Sequence, residues 1–79
     1  MSAGGMSEEW DFRTRVGEAR REKGIMQEEL AQRVGVRRET ISRIERGTSG
    51  GISVVLALKI AQVLETKVED IFFLNDEDA

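Results

Sequence analysis

The sequence predicts an all-α fold of five short helices, in which the second and third form a helix-turn-helix. Residues 27–47, QEELAQRVGVRRETISRIERG, carry two apolar repeats of helical spacing with one glycine between them. Gly35 stands where a tight turn needs a residue that tolerates positive φ. A small residue, Ala31, suits the crossing of two helices that meet at about 90–120°. The apolar positions of the two repeats are Leu30, Ala31, Val34, Ile41 and Ile44.

The second of these segments has a polar face that suits contact with a duplex. Its side chains could reach base edges and phosphates if the helix lay in a major groove. They are Arg37, Arg38, Glu39, Thr40, Ser42 and Arg43.

A first helix is predicted before this motif. It begins after Ser7, whose hydroxyl suits an N-cap, and ends at Lys23-Gly24. Acidic residues 8, 9 and 11 favour the positive end of that helix. Its buried stripe is predicted to consist of Phe12, Val16 and Ala19. Trp10 lies off the stripe, and we expect it either to staple the start of the helix or to contact a second subunit.

Two further helices are predicted after the motif. Ser53 suits the N-cap of the fourth, and Thr66 with Glu69 can form a capping box for a fifth helix from Lys67 to about Phe72. The fourth helix is apolar on two sides, so it needs two neighbours: the domain core, and either the fifth helix or a second subunit. The predicted core stripe is Val54, Ala57, Leu58, Ala61 and Leu64, and the second stripe is Leu56, Ile60 and Val63.

The charges are unevenly distributed along the chain. The net charge is −3, yet residues 13–46 contain ten basic and six acidic side chains. The remaining two basic and nine acidic residues lie toward the two ends. A local basic face attracts phosphates whatever the global balance, although the same charges would also fit a surface laced with ion pairs.

The composition excludes several kinds of chemistry. The chain has no cysteine and no histidine, which removes disulfides, thiolate nucleophiles and the commonest general base and metal ligand. Gly50-Gly51 stands alone, without the pattern of a phosphate-binding loop. We therefore expect no enzyme activity, no metal and no cofactor. With no apolar run near the roughly 20 residues of a membrane span and no visible signal peptide, a cytoplasmic protein, nucleoid-associated through DNA, is expected.

The chain resembles the phage Cro and repressor family of helix-turn-helix proteins, also called the Xre family, over roughly residues 13–73. The resemblance implies a compact, five-helix, lambda-repressor-like domain at 8–74, between a flexible segment at 1–7 and an acidic tail at 75–79. The matching residues are Arg20, Gly24, Ile25, Gln27, Leu30, Ala31, Gly35, Val36, Thr40, Ile41, Ile44, Glu45, Gly47, Leu58-Lys59-Ile60-Ala61 and Val68-Glu69-Asp70-Ile71-Phe72.

The resemblance also implies roles for individual residues. An Arg20–Glu45 salt bridge would tie the first helix to the third. The base-contacting residues would be Arg37, Arg38, Glu39 and Arg43, and the phosphate-contacting residues Gln27, Thr40 and Arg46. Glu39 would either accept from a cytosine amino group or hold Arg43 at i+4. The chain departs from the family pattern at Met26 and Arg37, where a capping side chain is usual, and at Glu65, where glycine is usual.

The function implied is that of a sequence-specific transcription regulator, most simply a repressor that blocks polymerase. It would bind double-stranded DNA at an inverted-repeat operator as a homodimer, through the recognition helix 37–46. Restriction-modification controller proteins are a subclass within this expectation. The alternative is an antitoxin or adaptor that acts mainly on a protein partner through the apolar C-terminal cluster. The predicted dimer interface is Leu56, Ile60, Val63, Ile71, Phe72, Phe73 and Leu74; the alternative is that these residues complete the monomer core.

Overall fold

The computed structural model describes residues 12–47 and 52–74, which form five helices and two short strands. The predicted all-α domain is present, with a minimal sheet added to it. In chain order the elements are β1 (Phe12–Thr14), α1 (Val16–Glu22), α2 (Gln27–Val34), α3 (Arg38–Arg46), α4 (Val54–Val63), α5 (Val68–Ile71) and β2 (Phe72–Leu74). In these described ranges, no helix is long and apolar enough to cross a membrane.

The ends of the first three helices follow the glycines. Gly24, Gly35 and Gly47 have φ values of +71°, +81° and +68°, the left-handed conformation that ends a helix with least strain in glycine. The amides of Gly35 and Val36 both donate to the carbonyl of Ala31, at 2.9 and 3.0 Å. These bonds satisfy a carbonyl of the last turn of α2 and direct the chain into α3.

The start of the first helix differs from the prediction. Phe12 belongs to β1, which pairs antiparallel with β2 in the register Phe12↔Leu74 and Thr14↔Phe72, so its place in a helical stripe was wrong. Helix α1 begins at Val16, whose amide donates to Thr14 Oγ1 at 2.8 Å. A strand therefore replaces the first turns of the predicted helix, and Ser7 and Trp10 lie outside the described residues.

The core lies between α1, α2, α3, α4 and α5. Leu30, Ile41 and Val16 are fully enclosed, and Ala31 is 2% exposed where α2 passes its neighbours. The buried apolar residues are Val16, Ile25, Leu30, Ala31, Val34, Ile41, Ile44, Ala57, Ile60, Ala61, Leu64 and Ile71. Both apolar repeats of the helix-turn-helix thus face inward, which leaves the polar face of α3 outside.

The face that helix α4 presents to the core agrees only in part with the one predicted, since Ala57, Ala61 and Leu64 are buried as predicted. Its core residues include Ile60, which is 0% exposed, whereas Val54 and Leu58 are 73% and 55% exposed. A helix that is apolar nearly all round gives no periodic signal to distinguish its two sides. The prediction placed Val54 and Leu58 in the core and Ile60 on the second face, and all three assignments were wrong.

The two helices after the motif begin differently. Ser53 caps α4 as predicted, because its Oγ accepts from the amide of Leu56 at 3.0 Å. The predicted capping box before the last helix is absent: α5 has Lys67 as its N-cap residue, without a side-chain cap, and begins at Val68. Glu65 has a φ of +58°, so it adopts the left-handed conformation of the glycine it replaces.

Candidate nucleic-acid interface

Helix α3 turns one face to the core and the other to solvent. Ile41 and Ile44 are buried at 0% and 5% exposure, and they fix the rotation of the helix about its axis. The outward face contains all of the predicted base-contacting residues, each of them exposed: Arg37, Arg38, Glu39 and Arg43. Arg46 is exposed at the last turn and Thr40 is half-buried. The predicted base-contacting side chains are thus exposed at the N-cap residue, Arg37, and along α3.

A hydrogen-bonded network joins this helix to the two helices before it. Arg20 Nε donates to Glu45 Oε2 at 2.7 Å, and both side chains are only 11% exposed. Arg20 Nη1 also donates to the carbonyl of Ile25 at 2.9 Å. Because Arg20 is on α1 and Glu45 on α3, the ion pair holds the last turn of the recognition helix against the first helix.

Gln27 extends the same network toward the surface. Its Nε2 donates to Glu45 Oε1 at 2.9 Å, while its Oε1 accepts a longer bond, 3.4 Å, from Arg38 Nη1. Gln27 lies at the start of α2 and is half-buried. Glu45, Gln27 and Arg38 therefore form a chain from a buried ion pair to the exposed start of α3.

The N-termini of α2 and α3 have no side-chain caps. Met26 and Arg37 occupy the N-cap positions, and neither makes a capping hydrogen bond. Met26 is 72% exposed. The first amides of both helices therefore have no acceptor from an N-cap side chain. Amides at a helix N-terminus are suited to binding an anion such as a phosphate.

The arginines of α3 are not neutralised by neighbouring acids. Within residues 12–47 and 52–74, the ion pairs are Arg20–Glu45, Lys23–Glu65 and Arg33–Glu29. Glu39 and Arg43 do not form one of these ion pairs. The free protein therefore gives no support to the role in which Glu39 holds Arg43 at i+4. Arg46 Nη1 donates to Ser42 Oγ at 3.1 Å, a neutral partner that leaves its charge available.

A groove of about 1010 Å³ lies on another side of the molecule, between α4, α5 and the two strands. Its lining is mostly apolar and includes Phe12, Val54, Leu58, Phe73 and Leu74. The assignment of Val54 and Leu58 to the core hid this surface from sequence reasoning. Within the described ranges, no group of three or more acidic side chains is placed to hold a metal ion.

Only part of the predicted dimer interface lines the groove: Phe72, Phe73 and Leu74 do, whereas Leu56 and Val63 pack against the core. Ile60 and Ile71 are 0% and 2% exposed within one subunit, so their side chains are not available to a second, and this part of the prediction is corrected. Leu74 is 61% exposed. The half-buried members of the predicted set are Leu56, Val63, Phe72 and Phe73.

Comparison with known sequences identifies the class to which this fold and surface belong. The family model HTH_3, helix-turn-helix, matches residues 16–71. The chain belongs to this family of Xre/Cro-CI-type helix-turn-helix proteins, which are DNA-binding transcription regulators.

Relatives of nearly the same length occur in archaea and bacteria. An uncharacterised HTH-type transcriptional regulator of Archaeoglobus fulgidus is 50% identical over 67 residues, which are 85% of this chain and 94% of that protein. The uncharacterised regulator YgzD of Bacillus subtilis is 41% identical over 67 residues, 85% of this chain and 100% of that protein.

Two solved structures of SinR are similar to this fold. SinR, the master regulator for biofilm formation, in complex with DNA gives a TM-score of 0.62 at 35% identity, over 68% of this chain and 86% of that one. A SinR–SinI protein complex gives a TM-score of 0.65 at 34% identity, over 71% of this chain. This chain spans about half, 54%, of the chain matched in that complex.

Proposed function

We propose that the protein is a repressor that binds an inverted-repeat operator as a homodimer. The observation that carries this proposal is the outward face of α3, where exposed arginines have no carboxylate partner among the described residues. An exposed cationic face on a helix that the core holds in a fixed rotation suits insertion into a major groove. The similar SinR structure contains DNA, which supports the same mode of use.

Each side chain of the surface has a role in this proposal. Arg37, Arg38 and Arg43 read guanine, because the guanidinium fork matches the O6 and N7 acceptors. Glu39 accepts from a cytosine amino group. Gln27, Thr40 and Arg46 contact phosphates and set the position of the domain on the duplex.

The homodimer rests on the apolar groove. Two copies related by a two-fold axis would place their α3 helices in successive major grooves, about 34–36 Å apart. The interface would keep the part of the predicted set that lines the groove and add two residues that the prediction had placed in the core. Its members would be Phe72, Phe73 and Leu74, together with Val54 and Leu58, whereas Leu56 and Val63 pack against the core and do not line the groove.

The wider assignment follows from the family. The DNA-binding domain would extend over residues 8–74, which contain the matched 16–71. A repressor of this kind acts by occupying a promoter and excluding polymerase. A restriction-modification controller protein would use the same surface, so that subclass belongs within the proposal.

Selection of duplexes from a random library by the purified protein at physiological salt tests this function. We expect recovery of an inverted repeat whose half-site spacing reports the geometry of the dimer. Recovery of a single half-site would reject the homodimer but still support sequence-specific DNA binding. Recovery of no sequence above background would reject both.

A second candidate is an antitoxin or adaptor whose main partner is a protein. The observation that favours it is the apolar groove, and the similar SinR fold is also found in a protein complex. A chain that copurifies in stoichiometric amount and masks Leu58 and Leu74 from surface labelling would support this function. Tight, salt-sensitive binding to an inverted repeat without any partner would argue against it.

A further inference from the structure

Strand β1 lies directly against the end of the recognition helix. A Cβ atom built on Gly47, which follows α3, would be 2.7 Å from the Phe12 carbonyl oxygen and 3.7 Å from the Arg13 Cα. Phe12 also lines a small cleft with Thr40 and Arg43 of α3. The backbone of β1 can therefore lie this close to the end of α3 only because Gly47 has no side chain.

Arg13 is the outward residue of this strand. Phe12 and Thr14 are half-buried, and Arg13 between them is exposed, as the alternation of a strand requires. Arg13 lies opposite Phe73 of β2, and the guanidinium of Arg15 lies 5.6 Å from the centroid of that same ring. Arg13 itself has no carboxylate within 4 Å among the described residues, so its charge is not neutralised there.

The length of α3 suggests what Arg13 would meet. A helix of nine residues is roughly 13 Å long, and the major groove is roughly 12 Å wide. When the start of such a helix reads bases, its far end approaches the phosphates at the edge of the groove. Arg46 of the last turn is exposed at that end, and β1 is packed against the glycine that follows.

We propose that Arg13 is a second point of attachment to DNA, which contacts a backbone phosphate beside the C-terminal end of the recognition helix. The residue lies outside positions 16–71 that match the family model, so the helix-turn-helix itself does not supply this contact. The proposal rests on the proposed function, since it requires α3 to enter a major groove. Arg13 binds phosphate and reads no base.

The salt dependence of binding by Arg13→Ala tests this role. Each phosphate neutralised by a cationic side chain contributes about 0.9 to the slope of log K against log salt concentration. We expect Arg13→Ala to reduce that slope by about 0.9 on a duplex selected by the wild type, and to recover the same base preferences in selection. Arg13→Lys keeps the charge and should keep the slope.

Lys59→Ala is the matched control, since it removes one exposed positive charge from α4, a helix that contains none of the residues proposed to contact DNA. It should leave the slope unchanged, and thermal melting should show that all variants are folded. An unchanged slope for Arg13→Ala would overturn the inference alone. An equal reduction of the slope by Lys59→Ala would also overturn it, as would altered base preferences for Arg13→Ala. Failure of the wild type to select any duplex would overturn the proposed function and this inference together.

Discussion

Glu45 accepts hydrogen bonds from two side chains on two different helices, Arg20 of α1 and Gln27 of α2. Its side chain is 11% exposed, so its charge is largely removed from water. A carboxylate at such a depth is tolerated because its partners replace the lost hydration. One residue of the recognition helix thus fixes that helix relative to both of the preceding helices.

Removal of either partner should leave an uncompensated charge in this place. We expect Glu45→Ala to lower the free energy of unfolding by about 3 kcal/mol in urea titrations, because the Arg20 guanidinium would remain buried and unpaired. Glu29→Ala breaks the exposed i,i+4 pair with Arg33, whose side chains are 51% and 45% exposed, and should cost less than about 0.5 kcal/mol. Equal losses for the two variants would refute a structural role for the Glu45 network.

Glu65 is a second acidic residue whose ion pair has a consequence for stability. Its hydrogen bond with the Lys23 ammonium, and the charge of that group, lower the pKa of the Glu65 carboxyl below its ordinary value. A lowered folded-state pKa means that the pair stabilises the fold above the ordinary pKa and loses this effect as pH falls through the lowered one.

Glu65→Gln should therefore make the stability of the fold depend less on pH in the acid range. We expect the melting temperature of the wild type to decrease more on acidification than that of Glu65→Gln. The difference should be small and should shrink in high salt, because the pair is exposed. Parallel curves for the two proteins, measured by circular dichroism across the acid range, would show that the pair contributes nothing.

At the scale of elements, Gly47 joins the recognition helix to the strand beside it. It combines a φ of +68° with a backbone oxygen 2.7 Å from the place where a Cβ would lie. Gly24 also has a positive φ, +71°, but a Cβ there would meet nothing within 4 Å. A side chain at Gly24 would therefore meet only backbone strain, whereas one at Gly47 would meet both backbone strain and a steric clash.

Alanine at each position distinguishes these effects. Gly24→Ala should cost about 1–2 kcal/mol from the left-handed backbone alone. Gly47→Ala should cost more, since β1 must also move away from the end of α3. Chemical denaturation of both variants measures the difference, and equal costs would mean that β1 is not held tightly against α3.

The helix-turn-helix could be predicted from the sequence because its signals are local. Leu30, Val34, Ile41 and Ile44 have helical spacing, and Gly35 marks the turn between them. Each of these positions depends on neighbours within a few residues, so no knowledge of the rest of the chain was needed. The same holds for the Ser53 cap, which bonds an amide three residues away.

The strands and the faces of α4 could not be predicted in this way. Phe12 pairs with Leu74 from the other end of the chain, and its spacing from Val16 also fits a helix. No local feature of the sequence distinguishes a strand from a helix at Phe12. In α4, apolar residues surround the helix, so only the arrangement of its neighbours decides that Ile60 is buried and Leu58 exposed.

At the scale of the whole molecule, the proposed homodimer depends on the groove. Leu58 and Leu74 are 55% and 61% exposed in its mostly apolar lining, which is suited to contact with a second subunit. We expect size exclusion with light scattering to give twice the chain mass of 8.9 kDa at tens of micromolar.

Charges placed in the groove should separate the subunits. Leu58→Glu and Leu74→Glu should shift the mass to that of one chain, because the interface would have to bury a carboxylate. Val55→Glu is the control, since Val55 is 62% exposed on α4 but is not part of the groove lining. A wild-type mass of one chain at these concentrations would reject the homodimer.

The most direct test of the account is the affinity of Arg43→Ala for an operator selected by the wild type, measured by fluorescence anisotropy at fixed salt. Arg43 is exposed on α3 and lies outside the ion pairs of the described residues, so its guanidinium is available to a guanine. We predict a loss of about 1–3 kcal/mol, at least fivefold in affinity, together with relaxed preference at one base position. Unchanged affinity and preference, with Lys59→Ala as the charge-matched control, would contradict base reading by this face of the helix.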